Sequence, residues 1–498
     1  MTAQPHRIHA GYLPGLDAAE VDWQVLPFAQ GGQGQEGRPV LEVAVPVLSA
    51  TQMDALAVRV RQASARHLKT MAVSDIIAVI DQAIARLLDR SDPYRQQAEA
   101  HLPVVSGYDA EMVRLGLTGF FKTFRAPQLH RFVAEDFANP KLLDGFQPTP
   151  RGGAVRAFGP DLLVHNWAGN VPALALWSMV CGLLVKAGNI GKLPSAEPLF
   201  AGWFARLLAE VHPPIADCFA VVWWRGAGDD GASALYAQAD TVLAYGGNEA
   251  LDAIRRRLPV TTRFLPHGHK LGFGVISATA LDTLKAPSIA RLAAWDVMRY
   301  DQQGCYSPHV FYVQRGGAVA PRAFAGYLAG ELANLHRRFP RRPLAVEDSA
   351  AVAKWQQGVE WKALSASADG PVDPLIGSPT AAWSVAYSDT LQPLAPTAMQ
   401  RTIQVVGVDA LDDVVPVVAP HSRFLQTAGI AAAPAELYRL AGLLGAAGVT
   451  RISAIGAMSA PEAGWHHDGR FNLLDLVRMT EIEQSAELAA EPLAPYAD

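Results

Sequence analysis

Residues 219–257 read FAVVWWRGAGDDGASALYAQADTVLAYGGNEALDAIRRR, and this stretch decides the fold class. Its beginning, FAVVWW, is continuously apolar, which is typical of a parallel strand covered on both faces. A helix-like segment follows near Ser233–Gln238, then a second apolar strand-like run at Thr241–Tyr245 and a helix over residues 249–257. This β-α-β-α order predicts a doubly wound, nucleotide-binding sheet.

The same alternation continues on both sides of this stretch. We expect further strands at residues 154–158, 162–165, 309–313, 402–408 and 449–455, and helices at residues 172–185, 197–210, 321–337 and 434–447. Nearer the N-terminus we expect an irregular region before a strand at Leu41–Val45, then two helices, with this helical unit ending at Pro93. The whole pattern predicts an α/β protein.

The composition is that of a compact globular protein. Of 498 residues, 50% are hydrophobic and 18% are charged, and the net charge of -5 gives no electrostatic footprint for nucleic acid. Three cysteines in so long a chain favour a reducing compartment. The longest apolar run, Val171–Val185, is too short for a membrane span, and no signal peptide is visible, so we expect a cytoplasmic protein.

Cys305 is the candidate nucleophile. It lies in the segment DQQGCYSP, residues 301–308, just before the strand-like run at 309–313. A thiol on a glycine-preceded turn at the start of a strand can be presented to a substrate, and its thiolate form is the attacking species. Cys181 and Cys218 lie in apolar helix-like and strand-like runs and are expected to be packing thiols.

Asn170 is the candidate oxyanion donor. It lies in the turn HNWAGNVP, residues 165–172, between a strand-like run and an apolar helix. A side-chain amide held in such a turn can donate to a developing oxyanion. The alternative is that Asn170 caps the helix, since asparagine is favoured at that position.

Three successive strand ends are candidates for cofactor binding. Lys192 follows a short strand-like segment in AGNIGKLPS, residues 187–195. The next two strand ends carry glycine turns, at Gly226 and Gly228 and at Gly246 and Gly247. Each turn alone is a weak signal, but glycines at successive strand ends allow a cofactor to approach the backbone closely.

Together these segments resemble the aldehyde dehydrogenase superfamily, most closely its LuxC-type fatty acyl-CoA reductase branch, over about residues 150–475. Lys192 follows Asn170 by 22 positions, close to the family's interval between its Asn-x-Pro turn and its ribose-binding lysine. The matching segments are Gly169–Pro172, the glycine turn at Tyr245–Glu249, the nucleophile segment Asp301–Pro308 and the C-terminal signature Trp465–Gly469.

The resemblance implies an aldehyde dehydrogenase-like fold, with a Rossmann-type cofactor domain and an α/β catalytic domain. We expect an N-terminal α/β region at residues 1–100, the dinucleotide-binding domain at 101–288, the thiol-bearing catalytic domain at 289–475 and a C-terminal tail at 476–498.

One departure from the superfamily bears on the chemistry. Hydrolytic aldehyde dehydrogenases carry a Glu-Leu-Gly-Gly-Lys segment whose glutamate activates water, whereas this chain has LPHGHKLGFG at residues 265–274. A site without that base keeps an acyl-enzyme away from water and suits thioester exchange. His267 or His269 is a candidate proton carrier, and the alternative is that the pair merely belongs to a polar turn. The His-x-His pair has no evident third ligand, so we predict no metal.

A second departure concerns the cofactor. NAD-specific members place a glutamate about three residues after the lysine, whereas position 195 is a serine and Glu197 lies beyond it. The resemblance then favours NADPH, because a carboxylate that would repel the 2′-phosphate is missing there.

The resemblance implies an oxidoreductase that reduces a fatty acyl-CoA or acyl-protein thioester to a fatty aldehyde. It also implies an acyl-protein synthetase partner and a homo-oligomer. Two alternatives stay open: a CoA-acylating or hydrolytic aldehyde dehydrogenase, and a non-catalytic nucleotide-binding scaffold of an acyl-transfer complex.

Overall fold

The computed structural model describes residues 5–29, 39–226, 229–366 and 374–495. Its strands are β1 (His6–His9), β2 (Asp22–Phe28), β3 (Leu41–Val47), β4 (Gln147–Pro148), β5 (Ala154–Phe158), β6 (Leu162–Asn166), β7 (Gly188–Lys192), β8 (Phe219–Val222), β9 (Thr241–Tyr245), β10 (Arg263–His267), β11 (Leu271–Ile276), β12 (Pro308–Gln314), β13 (Leu375–Ile376), β14 (Ser384–Ser388), β15 (Thr402–Val408), β16 (Leu425–Ala431), β17 (Arg451–Ala454) and β18 (Arg478–Ile482).

The α-helices of the described residues are α1 (Ala50–Arg66), α2 (Val73–Leu88), α3 (Pro93–Ser106), α4 (Ala110–Lys122), α5 (Ala126–Asp136), α6 (Ala175–Leu184), α7 (Phe200–Val211), α8 (Asp230–Gln238), α9 (Asn248–Arg255), α10 (Lys285–Met298), α11 (Pro321–Arg338), α12 (Val346–Ala366), α13 (Val414–Val418), α14 (Pro434–Ala446) and α15 (Gln484–Ala490). None of these helices is long and apolar enough to cross a bilayer.

The predicted doubly wound sheet is present. Five parallel strands run in the order β10-β9-β6-β7-β8, and every residue of β8 is buried, as expected for a strand covered on both faces. Helix α1 and helix α8 pack on one face, while α6 and α7 pack on the other. The strand order reverses between β6 and β9, and a sheet of this type binds its ligand at such a reversal, beyond the carboxyl ends of the strands.

A second sheet forms the other half of the molecule. Its seven strands run in the order β13-β14-β15-β12-β11-β16-β17, and they are parallel except for the short edge strand β13. Helices α10 and α11 pack on one face, and α13 and α14 on the other. Only Gly268, His269 and Lys270 separate the end of β10 in the first sheet from the start of β11 in the second. The carboxyl edge of one sheet is thereby connected to the amino edge of the other.

Two expectations for the N-terminal region are wrong. The described residues before Leu41 are not wholly irregular, because β1 and β2 flank β3 in a three-stranded sheet. Pro93 does not end a helical unit but begins α3, since Asp92 caps the helix and proline is favoured at the first helical position.

The domain boundaries stay a prediction. Within the segment predicted as a C-terminal tail, β18 is an exposed strand that pairs antiparallel with β5. Together with β4 these strands form a separate three-stranded sheet.

Candidate active site

A cleft of about 620 Å³ lies where the two large sheets meet. The chain that follows β6 and β9 lines it from the carboxyl edge of the five-stranded sheet, and the chain that precedes β11, β12 and β16 lines it from the amino edge of the seven-stranded sheet. The cleft brings together all four candidate catalytic residues and one glycine turn: Asn170, Gly246, Gly247, His267, His269 and Cys305.

Cys305 lies in the turn before β12, as predicted, and its side chain is partly accessible from the cleft. Gly272 of β11 allows this turn to pack directly on the sheet, because a Cβ atom there would lie 2.6 Å from the carbonyl oxygen of Ser307. The other two cysteines, Cys181 and Cys218, are buried, as expected for packing thiols.

The turn that carries the thiol is held by an unusual backbone. Tyr300, Asp301 and Gln302 are all left-handed, with φ of 50°, 48° and 68°. A second left-handed run, residues 399–401, lies against it, with φ of 54°, 52° and 67°. Nε of Arg401 donates to Oδ1 of Asp301 at 2.7 Å, and both side chains are almost completely buried. Strained backbone persists where surrounding contacts hold it, and such sites cluster around functional groups.

Asn170 contacts the nucleophile turn directly. Its Nδ2 donates to the main-chain carbonyl oxygen of Gln303 at 2.7 Å. The main-chain carbonyl oxygen of Asn170 accepts from the hydroxyl of Tyr108 at 2.7 Å. Asn170 does not cap the following helix, which begins at Ala175 with Leu174 at the capping position. The capping alternative is therefore wrong, and the oxyanion role stays a prediction.

The described residues among those predicted to hold the cofactor lie at the carboxyl edge of the five-stranded sheet. Lys192 ends β7, and its Nζ lies 5.6 Å from the centre of the Trp224 ring. Burial lowers the pKa of Lys192, although Asp229 opposes the shift. Ser195 follows three residues later, and its hydroxyl accepts from Nε1 of Trp223.

Of the described glycines at this edge, Gly226 leaves open space beside its backbone. Gly226 has φ of +64°, and a Cβ atom there would meet no heavy atom of the described residues within 4 Å. Gly246 and Gly247 line the cleft after β9, at the reversal of strand order. Gly228 lies outside the described residues. A lysine and open backbone along one parallel edge fit a dinucleotide.

His267 belongs to a hydrogen-bonded network. Its Nδ1 lies 2.8 Å from Oδ2 of Asp468, and Oδ1 of Asp468 accepts from Nε2 of Gln426 at 2.7 Å. The same Nε2 atom lies 3.5 Å from Sγ of Cys305. His269 is exposed and lines the cleft without belonging to this network.

The pKa of Asp468 is shifted toward the ionised form, whereas those of His467 and Cys305 are shifted toward the neutral form. Burial of Asp468 opposes its ionisation, but hydrogen bonds from His267 and Gln426 and the nearby His467 hold its pKa well below the usual range. Burial lowers the pKa of His467 to about 3. Burial also raises the pKa of the Cys305 thiol to about 11, with the hydrogen bond from Gln426 opposing and the charge of Asp468 adding to the shift.

The imidazole rings of this site are stacked. The centres of the His267 and His467 rings are 4.3 Å apart and their planes are 9° from parallel, and the centre of the Tyr245 ring lies 4.8 Å from that of His267 and 6.0 Å from that of His467. Among the described residues, His267, His467 and Asp468 are the group whose possible metal ligands all lie within 4.8 Å of one another. Imidazole binds a metal in its ring plane, and two nearly parallel planes share no common point nearby, so this arrangement does not suit one ion.

Sequence reasoning missed Gln426 and Asp468 as site residues. The segment Trp465–Gly469 carries only a family signature in the sequence, and the polar Gln426 stands near the start of the buried strand β16. A buried polar residue in such a strand is a signal that could have indicated a site.

Solved structures share the fold. An aldehyde dehydrogenase KauB from Pseudomonas aeruginosa superposes with a TM-score of 0.72 at 12% identity, over 95% of this chain and 96% of that one. Aldehyde dehydrogenase 21 from Physcomitrella patens superposes with a TM-score of 0.70 at 13% identity, over 96% and 98%. The aldehyde dehydrogenase-like fold predicted from the sequence is thereby confirmed.

Comparison with related sequences identifies the family within this fold. The chain is 27% identical to a long-chain acyl-protein thioester reductase from Vibrio harveyi over 340 aligned residues. The aligned region covers 66% of each chain. It is 26% identical over 399 residues to the protein of the same description from Photorhabdus luminescens, covering 78% of this chain and 77% of that one. A sequence model of the acyl-CoA reductase (LuxC) family matches residues 68–479. The chain therefore belongs to the acyl-CoA reductase (LuxC) family and is an oxidoreductase, as its sequence predicted.

Proposed function

We propose that this protein reduces a fatty acyl thioester to a fatty aldehyde with NADPH, through an acyl group bound covalently to Cys305. The observation that carries the proposal is the cleft between the two sheets, which collects a thiol, an amide donor and a glycine-lined strand edge.

The first step is thioester exchange. Sγ of Cys305 attacks the thioester carbonyl, the bond from the carbonyl carbon to the carrier sulfur breaks, and the proton of Cys305 leaves with the carrier thiol. Since the pKa of Cys305 is raised to about 11, the thiol is protonated at neutral pH and must lose its proton as it attacks. His267 lines the same cleft and is the candidate base.

Asn170 stabilises the oxyanion that forms in this step. Its amide has two N–H groups, and the contact to Gln303 uses one of them. The second N–H and the backbone N–H of Cys305 are the donors that the proposal assigns to the oxyanion. The contact with Gln303 holds the amide against the nucleophile turn.

The second step releases the aldehyde. NADPH, when bound, supplies the hydride that reduces the acyl carbon. Lys192, Ser195 and the glycine turns at 226 and 246–247 would hold it at the sheet edge. As the bond between the acyl carbon and Sγ breaks, Cys305 regains a proton, for which His267, reprotonated from solvent after the carrier thiol leaves, is the candidate donor.

NADPH is favoured over NADH because Glu197, the first carboxyl residue after Ser195 in the sequence, carries little negative charge. Oε1 of Glu197 accepts from the backbone N–H groups of Leu199 and Phe200 at 2.9 Å, and the side chain is buried. Burial raises the pKa of Glu197 to about 7, so it is a weak source of negative charge for a cofactor. A 2′-phosphate therefore meets no strong repulsion from this residue.

Hydrolysis of the acyl-enzyme is disfavoured. Asp468 is a carboxylate in the cleft, but its oxygens accept from His267 and Gln426. A carboxylate whose pKa is held low by these contacts is a poor base for activating water. The acyl group is thus kept for reduction.

The named relatives act on long-chain acyl-protein thioesters, and we propose a long-chain acyl thioester as substrate here. The carrier is CoA or a protein. An acyl-protein synthetase partner, a homo-oligomer and a cytoplasmic location remain part of the proposal.

The direct test supplies tetradecanoyl-CoA and NADPH and measures both the aldehyde and the loss of NADPH absorbance. Aldehyde formation with equal NADPH consumption is expected. In the reverse direction, aldehyde and NADP⁺ are supplied with and without CoA, and acid formation without CoA would favour the hydrolytic alternative. A nucleotide-binding scaffold would bind NADPH and give neither product.

A further inference from the structure

The amide of Gln426 joins two parts of the cleft. Its Nε2 donates to Sγ of Cys305 at 3.5 Å and to Oδ1 of Asp468 at 2.7 Å. Oδ2 of the same carboxylate faces Nδ1 of His267 at 2.8 Å. One amide and one carboxylate thus connect the sulfur to the imidazole, although the four residues come from four separate segments of the chain.

The chemistry of these groups fixes their orientations. An ionised carboxylate only accepts hydrogen bonds, so the Nε2 end of Gln426, and not its oxygen, must face Asp468. For the same reason Nδ1 of His267 carries the proton in this contact, so that Nε2 is the acceptor whenever the ring is neutral. Gln426 is fully buried and the side chain of Asp468 is 7% exposed, so water does not replace these contacts readily.

We propose that Gln426 and Asp468 are positioning residues of the reductase: Gln426 orients the sulfur of Cys305, and Asp468 holds His267 in the tautomer that can accept a proton at Nε2. The inference rests on the proposed function, in which Cys305 takes the acyl group and His267 moves a proton.

The two residues act on the thiol in opposite directions. The N–H of Gln426 stabilises the thiolate, whereas the negative charge of Asp468 destabilises it. The other titratable groups near the sulfur are Lys270, Tyr245, Tyr306 and Arg451. Isosteric changes at Gln426 and Asp468 leave those four groups in place.

The test measures two rates for each variant at pH 8: alkylation of Cys305 by iodoacetamide, located by peptide mass spectrometry, and turnover with tetradecanoyl-CoA and NADPH. Gln426→Met keeps the side-chain length and removes the donor, so alkylation should slow by about tenfold, and turnover should fall with it. Asp468→Asn removes the charge and can accept from only one of its two partners. Alkylation should therefore become faster, while turnover falls by about tenfold or more.

Asp475→Asn is the matched control. It removes a carboxylate from the same C-terminal segment, but this carboxylate pairs with Arg470 and not with His267 or Gln426. It should leave the alkylation rate unchanged, and thermal unfolding of all three variants checks their folding.

Opposite changes of alkylation and turnover in Asp468→Asn support the proposal, since a merely loosened site would move both rates together. Parallel changes of the two rates in Asp468→Asn, or unchanged turnover in both variants, would overturn it. The alkylation measurement needs no thioester, so it tests the effect of Gln426 and Asp468 on the sulfur by itself. If wild-type protein failed to turn over tetradecanoyl-CoA, that result would count against the proposed function instead.

Discussion

Nδ1 of His267 lies 2.8 Å from Oδ2 of Asp468, although 201 positions separate the two residues in the chain. His267 ends a strand of the five-stranded sheet, and Asp468 belongs to the segment after the last strand of the seven-stranded sheet. The candidate active site therefore depends on both halves of the molecule, and neither half contains it alone.

Asn170→Ala should lower kcat by about 100- to 1000-fold, because it removes one oxyanion donor. Binding of NADPH should be nearly unchanged, since the amide contacts the nucleophile turn at Gln303 and not the strand edge beyond β7. Steady-state kinetics and a fluorescence titration with NADPH check both parts.

Tyr108→Phe is a milder change at the same site, and its loss of kcat can be compared with that of Asn170→Ala. It removes only the hydroxyl that donates to the carbonyl oxygen of Asn170 and leaves the amide in place. We expect a loss of about tenfold or less in kcat. A Tyr108→Phe loss as large as that of Asn170→Ala would argue against a direct role for the amide.

Ser195→Glu should weaken the preference for NADPH over NADH. A carboxylate three residues after Lys192 would repel the 2′-phosphate of NADPH, and kcat/KM for NADPH relative to NADH should fall by about tenfold. Glu197→Gln is the control and should leave this ratio unchanged, because the carboxyl group of Glu197 accepts from Leu199 and Phe200 at the start of α7. A changed ratio in the control would contradict the account of cofactor choice.

Arg401→Met should destabilise the protein by about 3–5 kcal/mol, because it leaves the buried charge of Asp301 without its partner. Arg7→Met breaks the pair with Glu42, in which the arginine is mostly exposed, and should cost about 0–1 kcal/mol. Urea unfolding compares the two variants. Equal losses would show that the pair behind Cys305 does not hold the left-handed turn.

Alkylation of free Cys305 should keep rising with pH beyond the range of an ordinary thiol. The pKa of the thiol is raised to about 11, chiefly by burial, so the reactive thiolate is scarce at pH 8 and increases through pH 10. Rates of iodoacetamide labelling from pH 7 to pH 10 measure this profile. A plateau below pH 9 would mean that the cleft stabilises the thiolate.

The regular elements were predictable because their periodicity is local. The buried strand at Phe219–Val222 and the helix at Pro434–Ala446 lie where the apolar patterns placed them. Strands β1 and β2 were missed, since β1 has no buried residue and β2 only one, and such strands carry little hydrophobic signal.

The site was predictable only in part. Cys305 and Asn170 stand in distinctive turns, and both line the cleft. Gln426 and Asp468 belong to the site only through contacts with Cys305 and His267, which are 121 and 201 positions away in the sequence. Sequence periodicity does not encode such contacts, and neither does it encode the pairing of Asp301 with Arg401 behind the nucleophile.

Intact-mass spectrometry of the protein mixed with tetradecanoyl-CoA tests the central claim most directly. Wild-type protein should gain the mass of one tetradecanoyl group and should lose it again when NADPH is added. Cys305→Ala should gain no acyl mass. A Cys305→Ala variant that still gained the acyl mass, or a wild-type acyl group that NADPH did not remove, would contradict the account.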